Sequence, residues 1–115
     1  MSLKAFIVLS LLGVLLFGSA GLAAGPQRTV TGVITDSMCA TGDHSQMKMG
    51  PTDGECTKAC VDVHGALYVL YDGKDAYTLS DQKTPEQFAG KKVKVTGTVD
   101  AKNKAIQVSS ITAAK

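Results

Sequence analysis

The sequence predicts a mainly β protein, a small five-stranded OB-like Greek-key barrel. Three observations predict it: segments rich in β-branched or alternating residues fill much of the chain after residue 27, turn residues separate them, and two short helical patterns interrupt them. The expected order is strand, long loop with a helix, strand, strand, short helix, strand, strand, which is the order of the OB-fold. Closure into a barrel removes the exposed edges of so small a sheet.

Each predicted strand is bounded by turn residues. The expected strands are 29–36, 66–71, 76–79, 91–100 and 105–112. The fourth has the clearest period-two pattern, with Val93 on one face and Lys92 on the other. Gly32 lies within the first strand, where we expect a bend or bulge. The sequence DGKD at 72–75 predicts a hairpin between the second and third strands.

Both predicted helices carry capping signals. In the long loop after the first strand, Thr52 and Glu55 form a capping box and Gly65 marks the end. Between the third and fourth strands, Thr84 is the expected N-cap and Gln87 completes a second box. The sequence therefore predicts one helix in the first long loop and a shorter one before the fourth strand.

Residues 1–24 are typical of a secretory signal peptide. Lys4 precedes an apolar run at 5–17, and small residues follow it. The run is shorter than the roughly 20 residues that a transmembrane helix needs. We expect cleavage after Ala23 or Ala24, and a single domain at 27–115 that is secreted or periplasmic and keeps no stable membrane anchor.

Charge and aromatic content argue against several functions. The chain has 12 basic residues, one of them in the leader, against 10 acidic residues, and no basic patch suited to nucleic acid. Only four aromatic residues follow the leader, too few for both a core and a base-stacking platform. The C-x-x-C-H motif of covalent haem is missing. We expect no haem, no nucleotide and no nucleic-acid partner.

Segment 36–64 concentrates the soft donor atoms of the chain. It holds all three cysteines, both histidines and three of the four methionines. Such ligands select copper(I), zinc and similar ions, and small exported domains often gain stability from a metal or a disulfide. We therefore predict a copper or zinc site here. The candidate ligands are Cys39, His44, Cys56, Cys60 and His64, with Met47 and Met49 as weaker candidates.

Helical spacing supports part of this ligand set. Cys56, Cys60 and His64 are spaced four apart, which places them along one face of a helix. With Cys39 or His44 from the loop, a four-coordinate site becomes possible. We expect the three cysteines as ligands, His44 as the fourth, and His64 as its substitute.

The methionines leave two interpretations open. Met47 and Met49 in HSQMKM could form a thioether clamp for copper(I) or pack over the barrel mouth. The spacing C-x-x-x-C-x-x-x-H also resembles the ligand loop of the binuclear copper centre in cytochrome oxidase subunit II. That motif continues to a Met where this chain has Leu67. The spacing indicates copper, but not that centre.

A disulfide is the main alternative to a metal. In an oxidising compartment Cys39 could pair with Cys56 or Cys60, stabilising the domain by about 2–4 kcal/mol and leaving one thiol over. The alternative function is then a disulfide-stapled module that binds a cell-envelope protein, and a less favoured one is a thiol redox partner. We expect no enzyme activity, since C-x-x-C is missing and Asp36 is expected to cap a turn.

Several segments together resemble a known family. GVITDSMC, a following His, ECTKACV, YVLYDGKDAYTLSDQ and FAGKKVKVTGTVD are similar to small secreted bacterial domains with an OB-like barrel. The resemblance covers nearly the whole mature chain, and its most specific part is DSxC followed by CxxxC. It implies the fold and the export, and it singles out Cys39, Cys56 and Cys60. It implies no substrate and no reaction.

Overall fold

A computed structural model describes residues 26–115 as a closed barrel with the strand order β1-β2-β3-β5-β4. The elements are β1 (Gln27–Asp36), α1 (Asp53–His64), β2 (Tyr68–Tyr71), β3 (Ala76–Leu79), a 3₁₀ helix (Thr84–Phe88), β4 (Lys92–Asp100) and β5 (Ala105–Ala113). The pairing of β3 with β5 is parallel and the other pairings are antiparallel. The predicted five-stranded OB-like barrel is confirmed. The predicted signal peptide, 1–24, lies outside the described residues.

Strand β1 joins the two halves of the barrel by changing partners along its length. Its first part pairs with β4, and its last four residues pair with β2, with Val33 in both ladders. Gly32 lies at this change, where a Cβ atom would collide with the backbone carbonyl of Tyr71. Because the backbones of Gly32 and Tyr71 come this close, only a residue without a side chain fits at position 32.

The barrel interior is filled by alternate residues of the strands. Val93 and Val95 of β4 are fully buried, whereas Lys92 and Lys94 are exposed, as the period-two pattern predicted. The core cluster consists of Ile34, Tyr68, Leu70, Tyr77, Leu79, Ala89, Val93, Val95 and Ile106.

Helix α1 packs against the end of β1 and against the connection before β4. Its cap is the predicted one, because the Glu55 amide donates to Thr52 Oγ1 at 3.2 Å, and it ends at Gly65 with a φ of 67°. Gly54 lies in the first turn, where a Cβ atom would come within 2.6 Å of the Ala89 carbonyl oxygen. The glycine therefore allows the close approach. No helix within residues 26–115 is long and apolar enough to cross a membrane.

The predicted cap of the 3₁₀ helix is wrong. Its N-cap is Lys83, which makes no side-chain capping bond, and Thr84 is the first helical residue. The reason is a competing acceptor: Asp81 Oδ1 accepts the amides of Lys83 and Thr84 at 2.9 and 3.0 Å. The predicted capping box with Gln87 is therefore wrong as well.

Candidate metal centre

Three donor side chains meet where β1 ends. One ligand atom each from Asp36, Cys39 and His44 lies within 4.8 Å of the others. Asp36 is completely buried, His44 is 6% exposed and Cys39 is partly exposed. Two ligands bonded to one zinc ion at about 2.0–2.3 Å can be at most about 4.6 Å apart. Side-chain adjustments of about an ångström would therefore bring all three onto one ion.

The turn after β1 holds Asp36 and Cys39 in a fixed relation. Asp36 Oδ1 accepts the backbone amides of Met38 and Cys39, each at 3.0 Å. Thr35 Oγ1 donates to the Cys39 carbonyl at 2.8 Å. The predicted turn-capping role of Asp36 is present in the structure. It uses one carboxylate oxygen only, and the other, Oδ2, is buried without a hydrogen-bond partner.

His44 is oriented by a buried threonine of α1. Its Nε2 lies 3.4 Å from Thr57 Oγ1, and its Nδ1 is buried without a partner. The tautomer with a proton on Nε2 can donate to the hydroxyl and leaves the Nδ1 lone pair free for an ion. A second partner that fixes the ring in this way is typical of metal-binding histidines.

Two unpartnered buried atoms mark this group as a candidate metal site. A buried polar atom without a hydrogen bond costs about 1–3 kcal/mol, and more when it is charged. Within residues 26–115 the unpartnered buried side-chain oxygens and nitrogens are Asp36 Oδ2 and His44 Nδ1, and both residues are members of the three-residue group.

Cys56 anchors the loop to α1. Its sulfur accepts the Met49 amide at 2.9 Å, and its thiol donates to the Met47 carbonyl at 3.4 Å. The side chain is almost fully buried. These two bonds hold segment 47–49 against the helix and give the Cys56 sulfur a structural role.

Cys60 shares its surroundings with Asp36 and the other thiols. Burial, followed by the negative charge of Asp36, the neighbouring Cys39 and Cys56, and a contact with the Asp36 side chain, raises the pKa of Cys60 to about 11. The contact between the Cys60 thiol and Asp36 falls short of hydrogen-bond geometry, so Asp36 Oδ2 stays unpartnered. Burial, followed by Asp36 and Cys56, also raises the pKa of Cys39. The negative charge of Asp36 therefore disfavours the thiolates of Cys39 and Cys60, whereas a bound cation would favour them.

The predicted ligands divide into three groups. Cys39 and His44 lie together, with Asp36 as a donor that the sequence interpretation assigned only to a turn. Cys56 and Cys60 are buried on the inner face of α1 next to this group, and their ligation stays a prediction. His64 is exposed at the end of α1. The sequence feature that could have identified Asp36 as a metal donor is its D-x-x-C spacing to Cys39 at the end of a strand.

Met47 and Met49, the two predicted methionine ligands, bond to Cys56 through their backbones, whereas His44 contributes its side chain to the three-residue group. Met47 is exposed and Met49 is partly buried, and the backbone of each bonds to Cys56.

All three cysteines are free thiols in the structure. The alternative disulfide of Cys39 with Cys56 or Cys60 stays a prediction.

Comparison of the chain with protein-family models, curated proteins and solved structures gives no match. The resemblance to secreted bacterial domains therefore stays a prediction. Function has to be argued from the site itself.

Proposed function

We propose that this protein binds one soft metal ion, copper or zinc, through Asp36, Cys39 and His44. Cys60 is the proposed fourth donor, because it is buried on the adjoining face of α1 and lies close enough to Asp36 and Cys39 for their charges to raise its pKa. It lies outside the three-residue group, so its thiol would have to approach the ion on binding. The observation that carries the proposal is the pairing of two unpartnered buried atoms, Asp36 Oδ2 and His44 Nδ1, in one group with a thiol.

The donor chemistry suits these ions. Zinc takes thiolate sulfur, imidazole nitrogen and carboxylate oxygen in four-coordinate sites. Copper binds imidazole and thiolate with at least comparable affinity, so metal supply contributes to selection. The proposed role is sequestration, delivery or stabilisation of the fold by the metal, in the secreted or periplasmic space that the leader predicts.

The thiol chemistry supports binding over redox exchange. A reactive redox cysteine needs a lowered pKa and access to its partner. Burial and nearby negative charge raise the pKa of Cys39 and of Cys60 instead. In the metal-free protein these thiols are protonated at neutral pH, which slows nucleophilic attack by sulfur. We therefore propose a metal-binding protein without turnover.

A conservative substitution of Asp36 tests the proposal. Asp36→Asn keeps an Oδ1 acceptor for the two amides of the turn and replaces Oδ2 with an NH2 group, which has no available lone pair for a cation. The matched control is Asp72→Asn in the turn between β2 and β3, where Asp72 Oδ1 likewise accepts two backbone amides, those of Lys74 and Asp75, at 2.8 and 2.6 Å. Zinc and copper(I) affinities would be measured by competition with a chelator.

We expect Asp36→Asn to weaken binding by at least about tenfold, while Asp72→Asn binds as the unsubstituted protein does. A second pair, His44→Gln with His64→Gln as control, should behave in the same way, because His44 is buried beside the centre and His64 is exposed. If the two members of a pair bound metal equally well, the tested residue of that pair, Asp36 or His44, would not be a ligand.

A further inference from the structure

A surface cavity of about 410 Å³ opens beside the proposed centre. Met38, Cys39 and Met47 are among the residues that line it, and we call this surface the methionine mouth. Cys39 belongs both to the mouth and to the three-residue group, whose other members are buried. Cys39 therefore connects the buried donors with the surface.

The two methionines are held at the mouth by the centre's own residues. The Met38 amide donates to Asp36 Oδ1 at 3.0 Å, and the Met47 amide donates to the His44 carbonyl at 3.3 Å. Met38 and Met47 are 46% and 40% exposed, so both residues are open to solvent where the cavity begins. Neither methionine belongs to the core cluster or packs against it, so both side chains are free to contact an ion in the cavity.

Thioether sulfur discriminates between the two candidate metals. Methionine is a soft ligand that binds copper(I), while zinc favours thiolate, imidazole and carboxylate donors. Asp43 also lines the cavity, and its exposed carboxylate adds negative charge that attracts a cation.

We propose that the methionine mouth is the route by which copper(I) enters and leaves the buried centre. The inference rests on the proposed function and narrows it to copper(I). The thioethers of Met38 and Met47 bind the incoming ion first, and Cys39 then takes it as a thiolate while its proton passes to water. Copper remains copper(I) throughout, since only ligands are exchanged.

The test compares two methionine variants of the protein purified from the exported fraction. Met38→Leu/Met47→Leu removes both thioethers at the mouth and keeps apolar side chains of similar volume. The control, Met49→Leu, changes a methionine that is partly buried and does not line the cavity. Copper(I) transfer to a colorimetric chelator would be followed without oxygen, and zinc affinity would be measured in parallel.

The double variant should transfer copper(I) at least about tenfold more slowly, with an unchanged zinc affinity, and Met49→Leu should match the unsubstituted protein. Equal copper(I) rates in the double variant and the unsubstituted protein would overturn the inference, as would an equal loss in Met49→Leu. If the unsubstituted protein binds neither ion, the proposed function fails and the inference with it. If it binds metal but the methionine variants behave identically, the inference alone fails.

Discussion

The Cys56 sulfur accepts a hydrogen bond from the Met49 amide at 2.9 Å, so that a helix side chain holds the backbone of the preceding loop. The same thiol donates to the carbonyl of Met47, which lines the cavity beside the proposed metal centre. Cys56 is thereby distinguished from Cys60, one helical turn later, although both are buried on the same face of α1.

This difference predicts that replacing Cys56 mainly lowers the stability of the fold, whereas replacing Cys60 mainly weakens metal binding. Cys56→Ala should lower the free energy of unfolding of the metal-free protein by about 1–3 kcal/mol, because it removes a buried contact and leaves the loop amide unpaired. Cys56→Ser should retain more stability, since its hydroxyl can accept the amide. Urea unfolding of the variants measures both.

Cys60→Ser supplies the comparison for metal binding. It should weaken the affinity for metal more than Cys56→Ser does, because Cys60 is the proposed fourth donor. The reverse order of affinities would identify Cys56 as the ligand and argue against its role as an anchor.

Thr57 should tune metal affinity without touching the ion. Its Oγ1 lies 3.4 Å from His44 Nε2, and both side chains are buried. Thr57→Val keeps the shape and removes the hydroxyl, so the ring loses its orienting partner. We expect about a 10–100-fold weaker affinity, measured by chelator competition, with Thr41→Val in the exposed part of the loop as control. An unchanged affinity in Thr57→Val would mean that the hydroxyl does not position the imidazole.

Thiol modification should depend strongly on pH and on metal. The pKa of Cys60 is raised to about 11 by burial and by the charge of Asp36, so its thiolate fraction is very small at neutral pH and grows as the pH rises toward that value. Cys39, also with a raised pKa but partly exposed, should be alkylated before Cys60. Peptide mass spectrometry after timed iodoacetamide treatment gives the rates.

The redox alternative predicts a different pattern. A thiol redox partner would contain at least one cysteine that reacts rapidly at pH 7. Bound zinc should slow the modification of Cys39, because a thiolate that ligates the ion is unavailable to the reagent. Fast modification at neutral pH, unaffected by zinc, would favour redox exchange over metal binding.

The barrel was predictable because its determinants are local. The alternation of Val93 and Val95 with lysines, and the DGKD turn, identify strands and a hairpin within a few residues. The cap at Thr84 failed because Asp81 competes for the same amides, and such competition is decided by backbone geometry.

The candidate site was predictable only in part. Residue types and spacing identified Cys39 and His44, but the role of Asp36 depends on which carboxylate oxygen the turn leaves free. Equal helical spacing could not separate Cys56 from Cys60, since the difference arises from a loop that folds back onto one of them. These are tertiary relations that periodicity does not contain.

Native mass spectrometry of the protein expressed with its predicted leader, and isolated without reductant or chelator, tests the central claim most directly. The account predicts a mass raised by one copper or zinc ion, with three free thiols recovered once the metal is removed. A metal-free protein lighter by the two hydrogens lost in one disulfide would contradict it, and the loop 36–64 would then be stapled by that disulfide.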